Sequence, residues 1–425
     1  EGEKMMKQKT AVVGFGCAGY HGVKAMREHG YDGEIDVYTD SPWAPANPML
    51  TTYYIYGKLP REATCPFGTL EELAVKYHFH AIAEPVGKVH SEERSIQTRD
   101  GAVKRYDQIL IATGARAFVP PIEGLDCKNV FSMRTMEDAG RVKKVLQQEK
   151  IESAVVVGAS MAGIKLVELF HARGITCTLV DMAPGIFPIA AVPCIASEIE
   201  DRLREKGVRL AFSKALERIE EAGGKRRLVF ADGERIPCDL VMMCIGTRAN
   251  TEIADDKLKI NRGIVVDERM QTNMPGIYCA GDCSEGTNLQ TKETQIIGIW
   301  DNAAKQGRTA GANMAGVRTV YQGNMPHNIT HFMGMDFIGY GDVRSKGREY
   351  VYENRERGQK FFLRMEEGKP VCMNFLDSFG ASGVLKSYML RKINGGTEPP
   401  NPAARVRLLH EGIPRDLIEL LMKEG

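Results

Sequence analysis

The chain has 425 residues, with 56 basic against 55 acidic side chains and ten scattered cysteines. That length calls for two or three cores rather than one, and the near-cancelled charge excludes a field that would gather nucleic acid or an anionic membrane. No apolar run approaches the roughly 18 residues that cross a bilayer, the start of the chain is polar and unlike a signal peptide, and no C-x-x-C pair occurs, so the expectation is a cytoplasmic protein without a metal.

Taken in chain order, Thr10–Val13 reads as a short buried strand running into Gly14-Phe15-Gly16-Cys17-Ala18-Gly19, with a helix expected over Val23–His29. Strand, G-x-G-x-x-G and helix make a dinucleotide loop. Gly14 permits the tight turn, Gly16 lets bare backbone meet a pyrophosphate, and Gly19 lets helix and strand pack closely. The N–H groups at the helix start, around Cys17 and Ala18, suit the phosphates. The next strand, Ile35–Thr39, ends at Asp40, 26 residues beyond Gly14, where a carboxylate can accept from ribose hydroxyls. Tyr53 and Tyr54 follow in a segment, Pro45–Lys58, that holds no cysteine. His78, His80 and His331 lack the spacing of a metal site or a triad and read as surface or core histidines. A turn at Asp100-Gly101 marks a β-meander, which returns to a buried strand, Gln108 to Thr113-Gly114.

The pattern recurs 144 residues later. Ala154–Val157 leads into Gly158-Ala159-Ser160-Met161-Ala162-Gly163, a helix through Phe170, and a strand Cys177–Val180 ending at Asp181. Ser160 puts side-chain bulk where a glycine is usual. Asp181 can bond a free 2′-hydroxyl and would repel a 2′-phosphate; Met182, Ala183 and Pro184 bring no arginine, so NADH is favoured over NADPH. Turns at Gly223-Gly224 and Asp232-Gly233 mark a second meander, and a buried strand again closes on glycine, Asp239 to Gly246. Then Gly276–Asp282 reads as a strand ending in Gly281-Asp282, followed by a helix expected over about Gln295–Met314 that carries Trp300. Cys279 and Cys283 flank that turn and read as buried thiols. Near the C-terminus, Ile413, Leu417, Leu420 and Leu421 form an apolar stripe for the chain's own core or for a partner.

These motifs in this order, Gly14-x-Gly16-x-x-Gly19, Ala112-Thr113-Gly114, Gly158 to Gly163 and Ala280-Gly281-Asp282, resemble the FAD-dependent pyridine nucleotide (disulfide) reductases over nearly the whole chain. Pro48–Lys58 is similar to the flavin segment of the ferredoxin- and rubredoxin-reductase branch and of the flavoprotein subunit of phenylglyoxylate dehydrogenase. The resemblance implies an α/β fold of two Rossmann-like domains, glutathione-reductase-like, with a small α+β C-terminal domain. FAD would lie on 6–119 and 247–320, held by Gly14, Gly16, Cys17, Ala18, Gly19, Asp40, Thr113, Gly114, Gly281 and Asp282. The NAD(H) domain would be 120–246, with Gly158, Ser160, Gly163, Asp181 and Gly246 at the coenzyme, and 321–425 would form the last domain, covering the second face of the flavin. It also implies hydride transfer from NADH to FAD and onward delivery of electrons to a redox protein or a partner subunit of a larger complex, the chain acting as a homodimer or as a subunit; the alternatives are a self-contained flavoenzyme on a small organic or anionic substrate, and a non-catalytic subunit that holds FAD. Candidates to line the reacting centre are Tyr53, Lys165 and Trp300. Lys165 stands where many relatives have glutamate; pairing with Glu168 on the same helix is its alternative role.

Overall fold

In the computed structural model, residues 7–396 and 401–422 are described. Their α-helices, in chain order, are α1 Cys17–Glu28, α2 Thr51–Tyr56, α3 Leu70–Tyr77, α4 Met136–Gln148, α5 Met161–Ala172, α6 Pro193–Glu205, α7 Trp300–Met314, α8 Ser382–Ile393, α9 Pro402–His410 and α10 Arg415–Met422. The chain divides into two compact units. One takes the chain up to Arg116 and then Thr247–Asn324; the other takes Ala117–Gly246 and the chain from Met325.

The first unit is built on a parallel sheet with strand order Ile277–Cys279, Gln108–Ile111, Lys9–Val13, Glu34–Tyr38, His80–Ile82. Its central strands are near-continuous β-branched and aliphatic runs, as expected of a sheet buried on both faces. Helices α1 and α7 cross on it at backbone contact. A Cβ at Gly307 would lie 2.3 Å from the Ala18 carbonyl oxygen and one at Gly311 2.2 Å from that of Gly22, so only glycine allows the approach. A three-stranded antiparallel meander, Val86–His90, Ser95–Thr98 and Val103–Arg105, follows the Asp100-Gly101 turn read from the sequence.

The second unit repeats the plan. Its parallel sheet runs Arg209–Ala211, Thr176–Val180, Ser153–Val157, Leu240–Met243, Val130–Ser132, with a meander over Leu216–Ala222, Lys225–Phe230 and Arg235–Cys238. Gly223 and Gly224, at φ 60° and 76°, make the tight turn between the first two of these strands. A five-stranded antiparallel sheet completes the unit, in the order His327–Phe332, Met335–Gly341, Lys369–Leu376, Gln359–Glu366, Arg348–Asn354. The fully buried Asn374 ties it to the nucleotide-type fold, accepting from Val192 N at 2.7 Å and donating to the Ala190 carbonyl at 3.0 Å.

Two local expectations are corrected, and of the two roles open to the C-terminal stripe the structure shows the first. Helix α1 starts at Cys17, directly after Gly16, not at Val23; Gly16 is its N-cap and Gly19 lies in its first turn. Helix α7 starts at Trp300 rather than Gln295, because Thr294–Gln295 pair as a short strand with Gly286–Thr287. The C-terminal stripe faces inward: Ile413, Leu417 and Leu421 are buried in one core with Ile418, and Leu420 packs against it.

Candidate functional site

Each glycine of the first loop has a distinct steric reason. At φ +93° Gly14 makes the strand-to-helix turn, and a Cβ there would sit 2.4 Å from the Ala112 carbonyl oxygen; one at Gly19 would sit 2.2 Å from that of Gly14. A Cβ at Gly16 would find nothing within 4 Å. The middle glycine therefore opens backbone to a ligand, and no side chain caps the first turn of α1.

Two other motifs close on this loop. Gly281, at φ +86°, lies so near α1 that its Cβ would be 2.9 Å from that of Ala18, and its N–H donates to Gln306 Oε1 at 2.9 Å. The half-buried Asp282 follows, its carboxyl facing Gly298, just before the start of α7. Cys17 Sγ donates to the Trp300 carbonyl at 3.4 Å, so α1, the Gly-Asp turn and α7 converge at their starts. Burial pushes the Cys17 thiol up to about 12, with Arg308 opposing and Asp282 and Asp301 adding. The Thr113-Gly114 turn is locked by a residue that the sequence reading missed. Thr113 Oγ1 donates to the Asn250 carbonyl at 2.7 Å, Asn250 Nδ2 returns a bond to the Thr113 carbonyl at 2.9 Å, and Asn250 N donates to the Gly114 carbonyl at 2.9 Å. A separation of 137 residues hid that lock.

Asp40 is exposed just beyond the strand Glu34–Tyr38. The buried acid of that strand is Asp36, which receives Lys104 Nζ, Tyr106 OH at 2.8 Å and His80 Nδ1 at 3.1 Å. His80 therefore pairs with an acid, as His331 does with Asp336 at 2.8 Å, while His78 closes α3 in the left-handed region. Tyr53 and Tyr54 lie half-buried on α2, and the Lys58 ammonium stands 5.6 Å from the Tyr53 ring and 4.7 Å from that of Tyr56. Trp300 stacks on Phe67 at 6.0 Å, which stacks on Tyr20 at 3.9 Å; Phe67 and Tyr20 gave no motif to find. Cys279 and Cys283 are buried free thiols with sulfurs 3.5 Å apart.

The second loop has the same sterics. Gly158 is at φ +113° with a Cβ 2.3 Å from the Cys244 carbonyl oxygen, and a Cβ at Gly163 would lie 2.1 Å from that of Gly158. Ser160 turns its hydroxyl onto α5, accepting from Gly163 N at 3.2 Å and donating to the Cys244 carbonyl at 3.0 Å, so its bulk serves as a helix cap. Asp181 is fixed by Ala159 N at 2.7 Å on one oxygen and Ala183 N at 2.8 Å on the other. Gly246, at φ +113°, has open space where a Cβ would stand. Lys165 is engaged within its unit: its ammonium meets Glu168 and donates to the His331 carbonyl at 2.8 Å, and Glu168 accepts from Met333 N at 2.8 Å. The sequence reading also missed Lys214. Its N–H donates to the Asp181 carbonyl at 3.0 Å, and its ammonium pairs with Asp232 and Glu234.

Residues 8–307 match the family model of the pyridine nucleotide-disulphide oxidoreductases. The chain belongs to that family. It is similar to an NADH oxidase of Methanocaldococcus jannaschii, 32% identical over 78% of this chain and 76% of the relative. It is also similar to the epsilon subunit of NADH-dependent phenylglyoxylate dehydrogenase of Aromatoleum evansii, 26% identical over 90% of this chain and 92% of the relative. Among solved structures, the water-forming NADH oxidase of Lactobacillus brevis bound to NADH shares the fold with a TM-score of 0.84 at 19% identity, covering 95% of this chain and 99% of that one. The protein is an FAD-dependent NAD(P)H oxidoreductase. The open face at Gly16 and the uncapped start of α1 suit the pyrophosphate of a dinucleotide such as the family's FAD and NADH. Among the described residues no three ligating side chains gather as a metal site, and no helix is long and apolar enough to cross a membrane.

Proposed function

We propose that this oxidoreductase takes hydride from NADH onto FAD and passes the electrons to a redox protein or partner subunit. The observation that carries the reading is the duplicated loop geometry in two separate units, with the thiol at the first, Cys17, buried. Gly14, Gly16, Cys17, Ala18, Gly19, Asp40, Thr113, Gly114, Gly281 and Asp282 would hold FAD; Gly158, Ser160, Gly163, Asp181 and Gly246 would hold NADH. FAD, when bound, supplies a centre that accepts two electrons and releases them singly or in pairs.

The protein's own part is binding, orientation and electrostatics. The N-terminus of α7, at Trp300, offers its dipole and free N–H groups to negative charge on a reduced ring. Trp300 and Tyr53 offer aromatic faces that keep water from the centre. The segment before Gly57 has no cysteine, and the Cys17 thiol stays protonated at neutral pH, which favours electron delivery to a partner over thiol exchange. The likeness to a subunit of a dehydrogenase complex supports the same reading.

Anaerobic mixing of the yellow protein with NADH tests it. Rapid bleaching of flavin absorbance is expected, with slow turnover until a protein acceptor is added. Failure of NADH to bleach the flavin would overturn the proposal, and fast turnover on oxygen or a small organic compound alone would replace the partner with that acceptor. Gly16→Val should give colourless protein, because its side chain fills the open approach.

A further inference from the structure

The second unit sets a lysine, Lys214, against the backbone of Asp181, a neighbour that the sequence around Asp181 does not reveal. Residues 213 and 214 run beside the loop after Asp181: Ser213 N donates to the Ala183 carbonyl at 2.9 Å and Lys214 N to that of Asp181 at 3.0 Å. The ammonium of Lys214 is held by two carboxylates of the meander hairpin, Asp232 and Glu234, the latter at 2.5 Å. Asp232 sits in the turn and itself accepts from Glu234 N at 3.1 Å, so the turn geometry presents both acids to the same lysine.

We infer that Lys214, Asp232 and Glu234 form a second coenzyme-selecting element, a lysine within one residue step of the ribose loop that two carboxylates withhold from a 2′-phosphate. This rests on the reading that Asp181 faces the adenosine ribose of the coenzyme. A lysine ammonium is a natural partner for a phosphate dianion, and a cation beside a ribose would ordinarily favour NADPH. Here two carboxylates on one ammonium leave a net negative charge at this corner. Together with Asp181 they repel a 2′-phosphate. The hydrogen bonds that Lys214 donates to Asp232 and Glu234 also raise its affinity for its proton, so the triad stays charged through the physiological range. Discrimination is thus built from one acid that bonds the 2′-hydroxyl and from a cation kept occupied elsewhere.

Binding of adenosine 2′,5′-bisphosphate and of AMP to the FAD-loaded protein, measured by calorimetry, isolates the 2′-phosphate without relying on turnover. The double variant D232N/E234Q should bind the bisphosphate roughly tenfold more tightly, the scale of one charge-assisted hydrogen bond, while AMP affinity stays constant. Adding K214A to that background should remove the gain, and the gain should shrink as salt rises. NADPH kcat/KM should follow the bisphosphate and NADH kcat/KM should not. Should the double variant unfold early, D232N and E234Q singly carry the same prediction at smaller size.

Unchanged bisphosphate affinity in D232N/E234Q, alongside improved affinity in D181A, would overturn this inference and leave the ribose reading standing. A gain that survives K214A would also overturn it, as simple removal of negative charge. If D181A alters binding of neither ligand, the ribose reading falls and the inference falls with it.

Discussion

Cys17 stands at the first position of α1, where helix N–H groups ordinarily acidify a thiol. Burial prevails here and moves the thiol from 9.0 up to about 12. Raising a folded-state value means the neutral thiol persists to higher pH, so between pH 6 and 9 almost none ionises. At pH 8 the thiolate fraction falls from about one in ten to about one in ten thousand. Iodoacetamide at pH 8 should therefore leave Cys17 unmodified in the folded protein and modify it after denaturation, as read by peptide mass mapping. Rapid labelling in the folded state would return thiol chemistry to consideration. Ser160 and Lys165 show the same rule of context. A serine that looked like an obstruction caps α5, and of the two roles open to Lys165, at the reacting centre or paired with Glu168, the structure shows the pairing, with a further bond to the His331 carbonyl.

At the scale of elements, what the sequence shows is what a few neighbouring residues determine. The loops at Gly14 and Gly158 and the turns at Asp100-Gly101 and Gly223-Gly224 need positive φ or bare backbone, and glycine records that need locally. The start of α7 was misplaced because Gln295 pairs with Gly286, a tertiary contact that overrides its helical surroundings. Asn250, Phe67 and Lys214 were invisible for a related reason: each acts on a residue far away in the chain, and nothing in its own neighbourhood marks it. The α1–α7 crossing belongs to the same class, since Gly307 and Gly311 read as ordinary helical glycines until Ala18 and Gly22 are set against them. Gly311→Val should push the helices apart, lowering stability by about 3 kcal/mol or more and loosening FAD, because α1 carries the first loop. Gly140→Ala in α4, where a Cβ meets nothing within 4 Å, should instead stabilise by up to about 1 kcal/mol. Denaturant midpoints of the two variants decide the matter; equal and small effects would mean that α1 and α7 are not in backbone contact.

Across the whole molecule, the two units are assembled differently. The first is a single core shared by stretches of chain on either side of the insertion, with Asn250 bonding across the gap to Thr113 and Gly114. In the second, the nucleotide-type fold and the antiparallel sheet are joined by buried aromatic packing of Phe187 on Phe332 and Phe337 and by polar contacts: Asn374 to Val192 and Ala190, Arg202 to Asp377 at 2.5 Å, and Lys165 to His331. Buried polar joints are costly to leave half-made, and Val192, Ala190 and Asn374 are all buried. Asn374→Leu should therefore cost about 2–4 kcal/mol, and hydrogen exchange should accelerate first over 186–192 and the strand Lys369–Leu376. Because the residues proposed for FAD all belong to the other unit, the variant should stay yellow while its reduction by NADH slows. Loss of colour together with loss of reduction would show that the units fold as one, and that the joint at Asn374 supports the flavin as well.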